Sequence, residues 1–278
     1  MTVATLAEVL RPCLTDGTAV AGLVVLGWED ACAYVAAAEA EGRSVILQAG
    51  PACRAHTPIP VLGAMFRSLA EAARVPVVAH LDHATDLGLC RQAIDCGFTS
   101  VMYDGSALPL QANIDRTAEI VGMAHGFGVS VEAELGYVGY AAGAASRATE
   151  PGEAARFAAE TGVDALAVSV GNTHLMTRPG SKIDRGSLAA IMAAAPDLPL
   201  VLHGGSGIAP EDRRSLARDA TICKFNIGTE LRMAFGAALR RALQQNPDQF
   251  DRIIILSATM PMMEAAARKV IHGLWADA

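Results

Sequence analysis

Asp82 and His83 stand side by side at the end of an apolar run, Val75-Pro76-Val77-Val78-Ala79-His80-Leu81, where a buried strand would emerge into a loop. Two more histidines occupy a similar setting. His174 follows Ala165-Leu166-Ala167-Val168-Ser169-Val170-Gly171, and His203 follows Leu198-Pro199-Leu200-Val201-Leu202. Three neutral imidazoles at strand ends can converge on one divalent metal, zinc foremost, and leave a coordination position for a substrate oxygen. An adjacent carboxylate that is not a ligand is then free to move a proton, which makes Asp82 the candidate catalytic group. Taken singly, each histidine reads as a core or surface residue and Asp82 as a helix N-cap. The repeated setting is what favours a metal.

Glu132 and Glu134, in Val131-Glu132-Ala133-Glu134-Leu135-Gly136, share one face by the two-residue period of a strand. They either reach the same site or serve as ion-pair partners. A second cluster suits an anion. His203-Gly204-Gly205-Ser206-Gly207 follows one apolar run, and Asn226-Ile227-Gly228-Thr229 follows the next. Glycine lets backbone amides approach an anion closely, and Ser206 and Thr229 add hydroxyl donors.

Positioning these residues requires strands that all end on one side. Short apolar runs alternate with alanine-rich helical stretches, the pattern of repeated βα units. Strands are expected near Val20–Leu26, Ser44–Gln48, Pro76–Leu81, Thr99–Tyr103, Ser130–Glu134, Ala165–Val170, Leu200–His203 and Ile222–Asn226. Helices are expected near Thr5–Leu14, Trp28–Glu41, Ile59–Ala73, Leu87–Asp95, Asn113–Phe127, Glu153–Thr161, Arg185–Ala195, Glu211–Asp219 and Glu230–Gln245, with a helical appendage over Ile253–Trp275. Eight such units predict an α/β fold, a (β/α)8 TIM barrel with extra terminal helices, in which catalytic groups gather at the C-terminal strand ends. Phosphate sites in such barrels are commonly built by the loops after the last two strands, where both glycine clusters fall. The long small-residue segment Gly136–Glu150 reads as a lid or an exposed connection.

With 278 residues and 52% hydrophobic content, the chain has enough material for one such barrel. No composition break marks a second domain, so residues 1–278 are expected to form a single one. The net charge of −7 and the lack of a basic run argue against nucleic acid as a partner. No continuous apolar stretch of about 18 residues predicts a membrane span, and no basic-then-apolar leader is visible. The six cysteines include no CxxC pair, so reduced thiols in a cytoplasmic protein are expected.

The chain also resembles the class II, zinc-dependent ketose-bisphosphate aldolases, which include the fructose- and tagatose-bisphosphate enzymes. The matching stretches are His80-Leu81-Asp82-His83, Tyr103-Asp104-Gly105-Ser106, Val131-Glu132-Ala133-Glu134-Leu135-Gly136, the Gly171…His174 turn, Leu202-His203-Gly204-Gly205-Ser206-Gly207 and Asn226-Ile227-Gly228-Thr229-Glu230. They run in family order over roughly residues 75–235. The resemblance implies zinc on His83, His174 and His203, with Glu134 as a nearby or alternate ligand, and admits a monovalent cation as a further cofactor. It implies that Asp82 handles the substrate hydroxyl proton and that Asn226 contacts the enediolate. Gly204, Ser206, Gly228 and Thr229 would surround a phosphate. The expected partner is a sugar phosphate, and the expected assembly a homo-oligomer, dimer or tetramer.

Three departures from the family pattern bear on the substrate. The loop that ordinarily reads Gly-Gly-x-Glu, and whose glutamate moves a carbon-bound proton, reads Gly139-Tyr140-Ala141-Ala142. Tyr137, Tyr140 and Glu150 are the alternatives for that role. Leu175 stands after the second histidine in place of glycine, and Ala21-Gly22-Leu23-Val24 lacks the usual asparagine. The expected activity is retro-aldol cleavage of a phosphorylated ketose to a dihydroxyacetone-phosphate-type product. The alternatives are a metal-dependent epimerase, an aldolase for an unphosphorylated substrate, and a non-catalytic sugar-phosphate-binding paralogue.

Overall fold

The computed structural model describes residues 2–275 apart from 141, 142, 144, 220 and 221. Eight parallel strands close into a barrel in sequence order: β1 (Val20–Val24), β2 (Val45–Ala49), β3 (Val77–Ala84), β4 (Ser100–Tyr103), β5 (Ser130–Leu135), β6 (Ala165–Val168), β7 (Leu200–Leu202) and β8 (Ile222–Ile227), with β8 pairing back onto β1. Helices cover the outside, as the βα alternation predicts. Their apolar faces meet the outward faces of the strands, which is why β6 and β7 read as uninterrupted apolar runs.

Inside the barrel, the two-residue period stacks side chains in layers. An apolar cluster in the lower interior holds Val20, Ile46, Val78, Ala165, Ala167, Val201 and Cys223. Leu6, Val9, Leu10 and Cys13 plug it from below. Burying each of those larger plug side chains contributes about 1.5–3 kcal/mol. Two residues beyond Ile46 and Val78 stand Gln48 and His80, which with Glu132 and Lys224 make a polar group, all fully buried. Gly22 makes room for it, because a Cβ there would lie 1.7 Å from Gln48 Oε1 and 2.9 Å from Lys224 Cε. Above that group the same strands carry Asp82, Glu134 and Asn226 to the mouth.

Several boundaries differ from the sequence expectation. The N-terminal helix is two short ones, Leu6–Leu10 and Cys13–Asp16, separated around Pro12. A helix over Pro51–His56 follows β2 directly, and its six residues are too short to show periodicity. The appendage is Arg252–Ser257 and Met260–Gly273; the latter packs on Trp28–Glu41, whose buried Ala31, Ala37 and Ala38 allow close approach.

The largest correction concerns β3. It runs three residues beyond Leu81, so Asp82 and His83 lie within the strand rather than in a loop. Leu81 pairs with Val101 and Ala84 with Tyr103, so Asp82 and His83 together oppose the single residue Met102. This is a β-bulge, and His83 adopts a left-handed φ of 52°. Neighbours on a regular strand face opposite ways. The bulge is what lets both of these side chains serve one site.

Candidate metal centre and substrate cavity

The three histidines meet at the mouth. Their ring centroids lie 4.8 Å apart for His83 and His203, 5.5 Å for His83 and His174, and 5.6 Å for His174 and His203. One nitrogen from each falls within 4.8 Å of the other two. A second group, His83, Asp104 and Glu134, meets the same criterion and shares His83 with the first.

Each ring is aimed by what its other nitrogen does. His203 Nε2 donates to Glu132 Oε1 at 3.1 Å, and its Nδ1 is buried without a partner. That Nδ1 lies 3.4 Å from Glu134 Oε2, which is also buried and unpartnered. Burial drives the His203 pKa well below its ordinary value, so its ring is neutral. The neutral ring turns its Nδ1 toward the Glu134 carboxyl, and a cation that displaced the carboxyl proton would be held by both; the set of imidazoles and a carboxylate suits zinc. His83 Nδ1 donates to Asp104 Oδ2 at 2.8 Å, leaving Nε2 available to ligate. Asp104 in turn accepts from Ser106 Oγ at 2.6 Å.

Burial by itself depresses the His83 imidazole, but Asp82, the hydrogen bond to Asp104 and Glu134 together raise it to about 9. Burial and the neighbouring His83 lower His174 to about 4. Burial lifts the Glu134 carboxyl to about 8 against the pull of His83. Asp82 goes the other way. Burial would raise it, yet His83 foremost among the surrounding imidazoles, with Lys224, holds it below the ordinary carboxylate value and therefore ionised near neutral pH. Its Oδ1 accepts from Asn226 Nδ2 at 3.4 Å.

Under the mouth, Lys224 Nζ donates to Glu132 Oε2 at 2.6 Å and to His80 Nε2 at 3.3 Å, while His80 Nδ1 donates to Ser100 Oγ at 2.8 Å. Lys224 and Glu132 are both fully buried, so removing one strands the other charge. Lys224→Met is expected to cost the metal-free protein about 3–5 kcal/mol. Replacing both residues, as Lys224→Met with Glu132→Leu, should cost clearly less. Urea denaturation of the two variants measures the difference, and equal losses would count against a charge origin.

A cavity of about 250 Å³ opens above the imidazoles, lined by Asp82, His83, His174, Gly204, Ser206, Asn226, Gly228 and Thr229 among others. The structure therefore brings the residues of both glycine clusters to the histidine site, while His203 and Glu134 lie deeper. Gly204 has a φ of 66°, and a Cβ there would fall 2.2 Å from the Thr173 carbonyl oxygen, so only glycine fits. Ser206 Oγ accepts from the Glu230 amide at 3.2 Å, which ties the first loop to the helix Thr229–Gln245. Leu175 lines the cavity with a φ of 58° and half-exposed side chain, at the position where the family pattern has glycine. Arg232, one turn into that helix, also lines the cavity, and its Nε is buried without a partner.

Of the three alternatives to the replaced loop glutamate, Tyr140 lines the cavity, its ring stacked on His174 at 4.9 Å and 26°. Tyr137 exchanges backbone hydrogen bonds with Arg147, and Glu150 lies outside the cavity wall at the start of the helix Pro151–Thr161. Ala141 and Ala142 lie outside the described residues. Those backbone bonds and the His174 amide donating to Gly139 pin the base of the Gly136–Glu150 segment. Sequence reasoning did not single out Asp104, Lys224, His80, Arg54 or Arg232. Asp104 was within reach, since it follows a strand of the same barrel.

Fold and site together place a group of side chains able to hold a metal ion, and an ionised carboxylate beside it, at the C-terminal mouth of a closed barrel. The family model for class II fructose-bisphosphate aldolase matches residues 4–276. A 6-phospho-5-dehydro-2-deoxy-D-gluconate aldolase from Shouchella clausii (strain KSM-K16) is 35% identical over 274 residues, 96% of this chain and 92% of that protein. The crystal structure of the YdjI aldolase from Escherichia coli K12 superposes with a TM-score of 0.85 at 31% identity, covering 98% of this chain and 97% of the other. A fructose-bisphosphate aldolase from Campylobacter jejuni shares the fold at 20% identity, with a TM-score of 0.82 over 98% and 95% of the two chains. The chain belongs to the class II fructose-bisphosphate aldolase family, and with it to the metal-dependent retro-aldol lyases.

Proposed function

We propose that this protein cleaves and forms a C–C bond of a phosphorylated ketose or keto acid, using zinc held by His83, His174 and His203 with Glu134 as an alternate ligand. The observation that carries this reading is the convergence of three imidazoles beside Asp82, which is ionised near neutral pH and, among the described residues, makes no salt bridge to Lys or Arg. Zinc would supply the Lewis acidity that draws charge out of the substrate carbonyl. The remaining steps belong to the chain. Asp82 takes the proton from the hydroxyl on the carbon beside the breaking bond and returns it in the reverse direction. Asn226 holds Asp82 through Oδ1 and turns toward the enediolate. Gly204, Ser206, Gly228 and Thr229 bind the phosphate through amides and hydroxyls, which anchors the reacting carbons over the imidazoles. The whole chain acts as one barrel domain, in the cytoplasm, as a homo-oligomer.

The Shouchella relative is named for a phosphorylated substrate that also carries a carboxylate. Arg232 gives this cavity a cation suited to a second anionic group of that kind. Turnover with added zinc against a panel of ketose and keto-acid phosphates, with products read by NMR, tests the proposal. A lyase yields two fragments from one substrate, and a single isomeric product would instead make it an epimerase.

The phosphate assignment has its own test. Ser206→Ala and Thr229→Ala are each expected to weaken a phosphorylated ligand by about 1.5–3 kcal/mol, or roughly 10- to 150-fold in affinity. An unphosphorylated analogue offers the loops no anion and should change far less. Titration calorimetry with both ligands checks this, and equal losses would remove the assignment.

A further inference from the structure

A bulge takes carbonyls out of the regular ladder, and a residue such as His83 with positive φ leaves that conformation unless its surroundings over-determine it. Arg54 reaches this point. It lies on the short helix Pro51–His56 after β2, and its Nη1 donates to the carbonyl oxygens of Ala49, at 2.9 Å, and of Asp82. Its Nη2 donates to the carbonyl oxygen of His83 at 3.1 Å. One planar guanidinium thus joins the end of β2 to both residues of the β3 bulge, which a compact ammonium cannot span. The cavity wall beside it is made by Pro51, Ala52 and Cys53, and Arg54 itself is absent from that wall.

We propose that Arg54 is a positioning residue: it holds the Asp82–His83 bulge so that the carboxylate and the imidazole face the same cavity. Other contacts hold the side chains of this pair, Asn226 on Asp82 and Asp104 on His83, whereas Arg54 holds their backbone. The inference rests on the roles proposed above for Asp82 and His83. It also accounts for an arginine that lies next to a binding cavity and spends its donors on backbone.

The test uses the full chain as Arg54→Met, similar in length without donors, and Arg54→Lys, with His174→Ala as a control at a ligand Arg54 does not touch. Zinc affinity is read by chelator competition, geometry by the visible spectrum of the cobalt-loaded protein, and catalysis by kcat and KM separately. Arg54→Met is expected to lose about 10- to 100-fold in zinc affinity, the range typical when support behind a metal ligand is removed. Its cobalt spectrum should change and kcat should fall with KM nearly constant, with Arg54→Lys intermediate. Wild-type zinc affinity, spectrum and kcat in Arg54→Met would overturn the positioning role, as would a loss confined to KM, which marks a substrate contact. If Arg54→Met fails to fold, Arg54→Lys decides by the same measures. Full zinc affinity in His174→Ala would overturn the metal site and this inference with it, whereas a wild-type Arg54→Met beside a zinc-deficient His174→Ala overturns the positioning role alone.

Discussion

Asp82→Asn is expected to keep the fold and the metal while losing about 100- to 10,000-fold in C–C cleavage, the range that general acid–base catalysis contributes. The substitution is close to isosteric. The amide oxygen can still accept from Asn226 Nδ2, so the side chain stays oriented. What disappears is the ionised oxygen beside Gly50, replaced by an NH2 group that donates where a proton must be received. The carboxylate is ionised near neutral pH, so it can accept a proton, because His83 foremost offsets the effect of its burial. Metal content and turnover, measured on the same preparation, check the expectation. Near-wild-type turnover in a metal-loaded Asp82→Asn protein would mean that another group is the base.

His83→Ala, His174→Ala and His203→Ala should each bind zinc about 100- to 1000-fold more weakly. The scale follows from sharing the roughly 10–16 kcal/mol of a four-ligand zinc site among its ligands. His203→Ala should be the most damaging to the protein as well. It removes a hydrogen-bond donor to the buried Glu132 and leaves the Lys224–Glu132 pair with a cavity above it. His174 lies at the cavity edge beside Tyr140, so its loss should leave stability nearly unchanged while still releasing metal. Elemental analysis after gel filtration, paired with thermal denaturation of the metal-free proteins, separates the two effects. Full occupancy in all three variants would end the case for this site.

Period and punctuation make the architecture legible in the sequence. Alternating apolar runs and alanine-rich stretches require covered parallel strands, and the apolar runs of β6 and β7 can belong only to strands buried on both faces. Strand-end histidines and glycine clusters follow from local sequence too, because in a barrel every strand end arrives at the same rim. That geometry carried His83, His174, Asp82 and both loops to one cavity, with His203 just beneath it, from a linear pattern.

What required the third dimension was pairing between distant strands. Glu132 and Glu134 look equivalent by period, yet Glu132 is neutralised by Lys224 from the far side of the closed sheet, whereas Glu134 keeps an unpartnered oxygen facing His203. Nothing near either residue in sequence separates them; closure of β8 onto β1 does, by placing Lys224 across the interior. Among Tyr137, Tyr140 and Glu150 only tertiary contact sets Tyr140 against His174. The bulge in β3 is likewise invisible in Leu81-Asp82-His83-Ala84, since register is a property of two strands and not of one. Local sequence determines which residues a strand carries to the rim, and only the closed barrel decides which charges they meet there.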